Sequence, residues 1–374
     1  MDSVTQGRLR RFFDKVCTLY CGGNDAASIV ITHLLEDRPY FLDAVSSLAP
    51  IMLVLPKPRS IHFGTRSRVS EVYKIAQLNR RKLHESESAL QLLEQYAPGK
   101  PLVLLDMGGY FAPLLQDLED NYSGRLVGVV EDTENGLQKY ERLSALAVPV
   151  FSVARSPLKN PEDYLVGQSI MFSTEALLRE RGDILQGRKA CVIGYGKLGR
   201  SIAQVLRSKN VRTVIFDTNP VTLVEALSHG FEITRNLRVA LSGSQLILCA
   251  TGNISLKGED FTRVCNGAYI ATVTSSDDEL DLVGLRSYYH EQRLDDCCTR
   301  YSTAGHYFYL LNKGNAVNFV HGAAVGSFIQ LVQAEILVCV SKLLAVHHRP
   351  GFHTVDAIDR SAIAATWLEY FHND

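Results

Sequence analysis

The run ACVIGYGKLGRSIAQVL, Ala190–Leu206, constrains the fold of this chain most. Gly194, Gly196 and Gly199 spell G-x-G-x-x-G directly after an apolar stretch and at the start of a helical pattern. Each glycine has a job there. The first allows a tight turn, the second lets a pyrophosphate approach the backbone, and the third packs the helix against the strand. The helix N-terminus then faces phosphate charge. Asp217 closes the next apolar run, "VRTVIFDTNP", about 20 residues on, where a carboxylate accepts from an adenosine ribose diol and repels a 2'-phosphate. The pattern predicts a dinucleotide site that prefers NAD to NADP, built on Gly194, Gly196, Lys197, Leu198, Gly199 and Asp217. "CATGN" ends another predicted strand on the same side, so Thr251 and Asn253 join the candidates for the nicotinamide half. A glycine turn with no cofactor, or a site for a methyl-donor nucleotide, are the competing readings.

Composition narrows the partners. The chain has 374 residues, 46% hydrophobic and 21% charged, with a formal net charge of -1. That suits a soluble globular protein with more than one domain and gives no global attraction for nucleic acid. The basic run "NRRK", 79–82, reads as a solvated helix face. Eight cysteines show no paired spacing, so a reducing cytoplasm is expected. The N-terminus lacks a signal-peptide pattern, and the apolar runs read as short of a membrane span. "HHRPGFH", 347–353, lacks a matching carboxylate or cysteine set, so no metal is expected.

Further along, strand and helix patterns alternate. Residues 5–18 read as a surface helix, and 25–48 as a helix interrupted at Pro39. "IMLVLPKP" reads as a short strand ending at its first proline. The stretch 67–97 has helical spacing. "PLVLLDMGG", "GRLVGVVEDTENG" and "LAVPVFSVA" read as strands. A second α/β series starts at the glycine loop, and 326–346 forms a long apolar helix suited either to a core or to a dimer interface. The expected class is α/β, with two Rossmann-like three-layer domains built on parallel sheets. The expected divisions are a substrate domain over 1–167, a cofactor domain over 168–320, and a return segment over 321–374.

Beyond the glycine loop, an ordered set of segments resembles the S-adenosylhomocysteine hydrolase family. The set comprises "DAASIVITHLLEDRPYFLDAVSSLAP", "VVEDTENGLQKY", "VFSVARSPLKNPEDYLVGQS" and "GNAVNFV" with "GSFIQLVQAEI". The resemblance implies a bound NAD that oxidises the ribose 3'-carbon. The 4'-proton is thereby made acidic, the 5'-thiol is eliminated, water adds, and the ketone is reduced again. It places the catalytic lysine and aspartate at Lys159 and Asp163, and the histidine of the 5' side at His33. The ribose-binding acid falls at Asp132, and a nicotinamide contact at Thr133.

Departures from the family pattern redirect this reading. "LLDMGGYF" keeps Asp106 but carries Met107 where the family has its catalytic aspartate, and Tyr110 in place of a third acid. A thioether moves no proton. Strand alternation sets Asp106 and Met107 on opposite faces. Leu35 and Asp37 stand at threonine and glutamate positions, and Glu134 and Asn135 at threonines. Ser275 stands at a histidine position, and His321 falls near a gating histidine. The C-terminal "SAIAATWLEYFHND" differs from the arm that completes a partner's NAD site, which favours a homodimer over a tetramer. Three functions stay open. They are a hydrolase of S-adenosylhomocysteine or a related nucleoside, a nucleoside dehydrogenase without hydrolysis, and a silent NAD-binding sensor.

Overall fold

A computed structural model of the chain describes residues 1–20, 25–80, 82–274 and 279–372. The chain divides into two compact units, one of residues 1–159 with 327–374, the other of residues 160–326. Each is a sheet with helices on both faces. Strands are numbered along the chain.

The first unit holds six strands: β1 (Ala27–Leu34), β2 (Ile51–Ile61), β3 (Pro101–Asp106), β4 (Arg125–Glu131), β5 (Pro149–Ser152) and β14 (Gly351–His353). Their order is β14-β5-β4-β3-β1-β2, with every pairing parallel. Successive side chains feed two separate cores. Val30, Val54, Val103, Leu105 and Val130 pack on one face, and Ile29, Ile31, Leu53, Leu55, Leu104 and Val129 on the other. Burial on both faces explains the near-continuous apolar runs. Chain order reverses between β1 and β3, which makes their carboxyl ends a topological switch point where such sheets bind ligands.

Three expectations fail in this unit. Residues 27–34 are strand, and only Arg38–Leu48 are helix. "ASIVITHL" is β-branched and buried on both faces, so it lacks the alternation that separates strand from helix. Pro39 sits in the first turn of the helix, where its missing N–H costs nothing. The strand β2 runs on through Pro56 and Pro58, which an edge strand tolerates. The stretch 67–97 holds the end of one helix, Phe63–Val72, and the whole of a second, Ser86–Tyr96, rather than a single helix.

The apolar run 326–345 does reach membrane-spanning length and hydropathy, contrary to the sequence reading. Its helix, Ile329–Ala345, is buried nearly all round and packs against the helices Ser3–Leu19, Arg38–Leu48 and Ala357–Phe371 and against β4. A helix so enclosed is a core element and offers no apolar face for a dimer.

The second unit holds β6 (Lys189–Ile193), β7 (Arg212–Phe216), β8 (Glu232–Thr234), β9 (Leu246–Cys249), β10 (Tyr269–Thr272), β11 (His290–Arg293), β12 (Cys298–Thr303) and β13 (His306–Leu311). The order is β11-β12-β13-β10-β9-β6-β7-β8, with the switch point between β6 and β9. The run β8-β7-β6-β9-β10-β13 is the strand order of a dinucleotide-binding fold. The pairs β11–β12 and β12–β13 are antiparallel, an extension that the sequence reading missed.

Candidate functional site

In the second unit, β6 delivers the chain into the glycine turn. Gly194 has φ +91°, a left-handed conformation, and a Cβ there would meet the Ala250 carbonyl at 2.7 Å. A Cβ on Gly199 would lie 1.9 Å from the Gly194 carbonyl oxygen, so only glycine lets the helix Lys197–Ser208 start this close to β6. Gly196 differs: nothing lies within 4 Å of a Cβ built on it. It caps a helix that has no side-chain cap, so the first N–H groups of that helix face an open cradle. This is the geometry a pyrophosphate requires, and the residues fit a dinucleotide. Lys197 and Leu198 form the first turn, and Tyr195 points inward to pack on Phe231.

Asp217 follows β7. Its Oδ2 accepts from the Tyr195 N–H and its Oδ1 from the Asn219 N–H, both at 2.8 Å. The carboxylate is thereby held beside the glycine turn. Thr251 and Asn253 lie in the loop after β9, and Glu279, which the sequence reading missed, organises that loop. Fully buried, Glu279 accepts from the Gly252 N–H at 2.8 Å, the Thr251 N–H at 3.1 Å and the hydroxyls of Thr251, Ser255 and Thr274. Burial raises its carboxyl above the usual range, opposed by these bonds. In sequence it sits in the acidic run "SSDDELD", where nothing distinguishes it from its neighbours. Ser275 lies outside the described residues.

Asp163 stands in the first turn of the helix Asn160–Glu180 and is 8% exposed. Its Oδ2 lies 3.0 Å from Lys197 Nζ, an ion pair within this unit that ties the helix to the glycine turn. His321 packs edge-on against Phe172, with ring centroids 5.5 Å apart.

In the first unit, the candidates gather at the carboxyl ends of the strands. His33 is the penultimate residue of β1, and its Nδ1 bonds to the Ser60 hydroxyl. Burial, and then the charges of Lys57, Arg38 and Lys159, hold its pKa well below the usual histidine range. The ring is therefore neutral at pH 7. Lys159 ends a short 3-10 turn, Pro157–Lys159.

The acids here divide into structural and available groups. Asp106, fully buried, accepts from the N–H groups of Tyr110 and Phe111 at 2.9 and 2.8 Å and from the Tyr140 hydroxyl at 2.6 Å. Met107 is 2% exposed and belongs to the core that also holds Val103 and Leu105.

Glu131, at the end of β4, is also fully buried. Its Oε2 accepts from the Gly109 N–H at 2.7 Å, and its Oε1 from the N–H and hydroxyl of Thr133, each at 2.7 Å. Burial, and then Asp106 and Asp132, push its carboxyl up to about 8. Thr133 caps the helix Glu134–Glu141 through the Gly136 N–H, so its hydroxyl is already bonded twice. Glu134 pairs with Arg155 at 2.6 Å. Asp132 is partly exposed, and its buried Oδ1 has no hydrogen-bond partner among the described residues.

Residues 164–324 match the family described as S-adenosyl-L-homocysteine hydrolase, NAD binding domain. The chain is 30% identical over 230 residues to an adenosylhomocysteinase of Sulfolobus acidocaldarius, covering 59% of this chain and 54% of that protein. It therefore spans little more than half the length of that relative. It is 26% identical over 299 residues to an S-inosyl-L-homocysteine hydrolase of Methanopyrus kandleri, covering 76% of this chain and 69% of that one. Among solved structures, a phosphoglycerate oxidoreductase of Vibrio cholerae overlays with a TM-score of 0.40 at 13% identity, covering 70% of this chain and 79% of that one. Residues 164–324 thus match the NAD-binding domain of S-adenosyl-L-homocysteine hydrolases, and the chain as a whole is similar to those hydrolases at modest identity over part of its length.

Proposed function

We propose that the chain is an NAD-dependent enzyme acting on S-adenosylhomocysteine or a related nucleoside by reversible ribose 3'-oxidation with 5'-elimination or addition. The observation that carries this reading is the open, uncapped cradle at Gly196, inside the segment that matches the family's NAD-binding domain. Bound there, NAD would supply a hydride acceptor. Backbone N–H groups of Lys197, Leu198 and Gly199 would face the pyrophosphate, and Asp217 would accept from the ribose hydroxyls. Arg212, which could otherwise favour a 2'-phosphate, is held by Glu232 at 3.2 Å. Thr251 and Asn253, on the loop that Glu279 holds, would meet the nicotinamide half.

In the first unit, Lys159 would take the proton of the 3'-hydroxyl. His33, neutral at pH 7, would exchange a proton on the 5' side, and Asp132 would accept from the ribose. Asp163 would act through the ion pair that holds Lys197. Met107 supports a second reading, 3'-oxidation without cleavage of the 5' bond, because its buried thioether supplies no acid where the family resemblance places one.

The test follows absorbance at about 340 nm in NAD-loaded protein as adenosine or S-adenosylhomocysteine is added, with products identified by mass. Transient NADH with a split 5' group supports the first reading. Stable NADH with a ketone supports the second. No NADH from either compound, in protein that holds NAD, overturns both. In Lys159→Ala, NADH formation should fall at least about a hundredfold with NAD still bound.

A further inference from the structure

The helix Lys197–Ser208 opens with a lysine, a cation set at the positive end of the helix dipole. A charge so placed favours an anion beside it. In this structure that anion is Asp163, whose Oδ2 lies 3.0 Å from Lys197 Nζ. The two partners are not equally held. The Asp163 side chain is 12% exposed and the Lys197 side chain 39%. The turn that carries Asp163 is pinned to the same helix one turn further on. There the Ser201 hydroxyl donates to the Tyr164 carbonyl at 2.6 Å, and a Cβ on Gly167 would lie 2.4 Å from Ser201 Oγ. The carboxylate is therefore fixed relative to the glycine turn. The ammonium, on a flexible four-carbon stem, is the partner that can move.

The open cradle at Gly196 gives it somewhere to go. Lys197 follows Gly196 directly, and its backbone N–H belongs to the turn that faces the cradle. Other charged groups around that turn are committed. Arg200 pairs with Glu225 at 2.8 Å and lies over the Tyr195 ring. Asp217 accepts from the Tyr195 N–H. A diphosphate set against the first N–H groups would bring two negative charges to the place where the Lys197 stem begins, a stronger attraction for an ammonium than one carboxylate.

We propose that the Lys197 side chain is a ligand of the dinucleotide's diphosphate, and that Asp163 holds it back until the dinucleotide binds. The ammonium then turns from the carboxylate to the diphosphate, and affinity is set by the competition between the two anions. Asp163 is a positioning residue in this step and acts through Lys197. The inference rests on reading the glycine loop as the NAD site, and it adds a side chain where that reading uses backbone N–H groups.

Calorimetric titration of the full chain with NAD and with ADP-ribose tests it. Lys197→Met should weaken NAD binding at least about tenfold, and Lys197→Arg should keep it within about threefold. ADP-ribose, which has the diphosphate and no nicotinamide, should lose as much as NAD. Asp163→Asn should tighten both at least about threefold, a gain that loss of a merely structural ion pair would not give. The double variant Asp163→Asn/Lys197→Met leaves neither charge unpaired, so it guards against a folding defect in Lys197→Met. It should bind NAD at least about tenfold more weakly than Asp163→Asn, with a shallower dependence on salt. NAD binding that removal of the lysine leaves unchanged in both backgrounds overturns the proposal and leaves the NAD site standing. Unchanged or weaker binding in Asp163→Asn overturns the restraint. A loss confined to NAD and absent with ADP-ribose overturns the diphosphate contact. Failure of the parent protein to bind NAD overturns the cofactor reading itself, and this proposal with it.

Discussion

A β-carbon on Gly136 would lie 2.1 Å from Oε2 of Glu131, well inside contact distance. The buried carboxylate occupies the space above the first turn of the helix Glu134–Glu141 and joins that turn to the loop after β3. Gly136→Ala should therefore destabilise the protein by about 2–4 kcal/mol in urea unfolding, because the carboxylate must move and leave N–H groups unpaired. A loss below about 0.5 kcal/mol would show that the carboxylate is free to shift.

Glu131 also gives the protein a pH dependence. Its pKa is raised on folding, from 4.5 to about 8. The folded state therefore holds a proton that the unfolded state releases. The contribution is fully present below the unfolded value and is lost as pH rises through the folded one, at up to about 1.4 kcal/mol per pH unit. Melting temperature should fall from about pH 5 to about pH 8, and Glu131→Gln should flatten that slope. An unchanged slope in the variant would assign the effect to another group.

Substitution at Gly196 separates cofactor binding from folding. Nothing lies within 4 Å of a Cβ there, so Gly196→Val should fold normally while its side chain fills the cradle. NAD affinity should drop at least about a hundredfold by fluorescence titration, with little change in melting temperature. Retained affinity would remove the cradle from the site. Gly199→Ala should instead harm folding, since its Cβ would meet the Gly194 carbonyl oxygen at 1.9 Å.

Glu279 offers a further separation. Its carboxylate holds Gly252, Thr251 and Ser255. Glu279→Gln places an amide donor among those donors, so the loop should loosen and NAD affinity should fall about tenfold. Hydrogen exchange at 251–255 should quicken. Unchanged exchange would show that the loop is held by its own turns.

The second unit was legible because its signals are local. A glycine turn, a strand on either side and an acid at the next strand end all lie within about 30 residues of one another. The first strand was hidden by its own burial, since Ile29, Val30 and Ile31 face two different cores and show no alternation. Partnerships made by the fold were not legible. Asp163 meets Lys197, and Glu279 meets Thr251, only once distant segments are brought together.

The first unit is written in two pieces, with the second unit between residues 159 and 327. Its sheet gains β14, and its core gains the helix Ile329–Ala345, only from the later piece. During synthesis residues 1–159 therefore emerge with one face of their sheet lacking the helix Ile329–Ala345, while the second unit is one continuous stretch. The second unit can finish folding first, and the first must wait for residues 327–374 to be made.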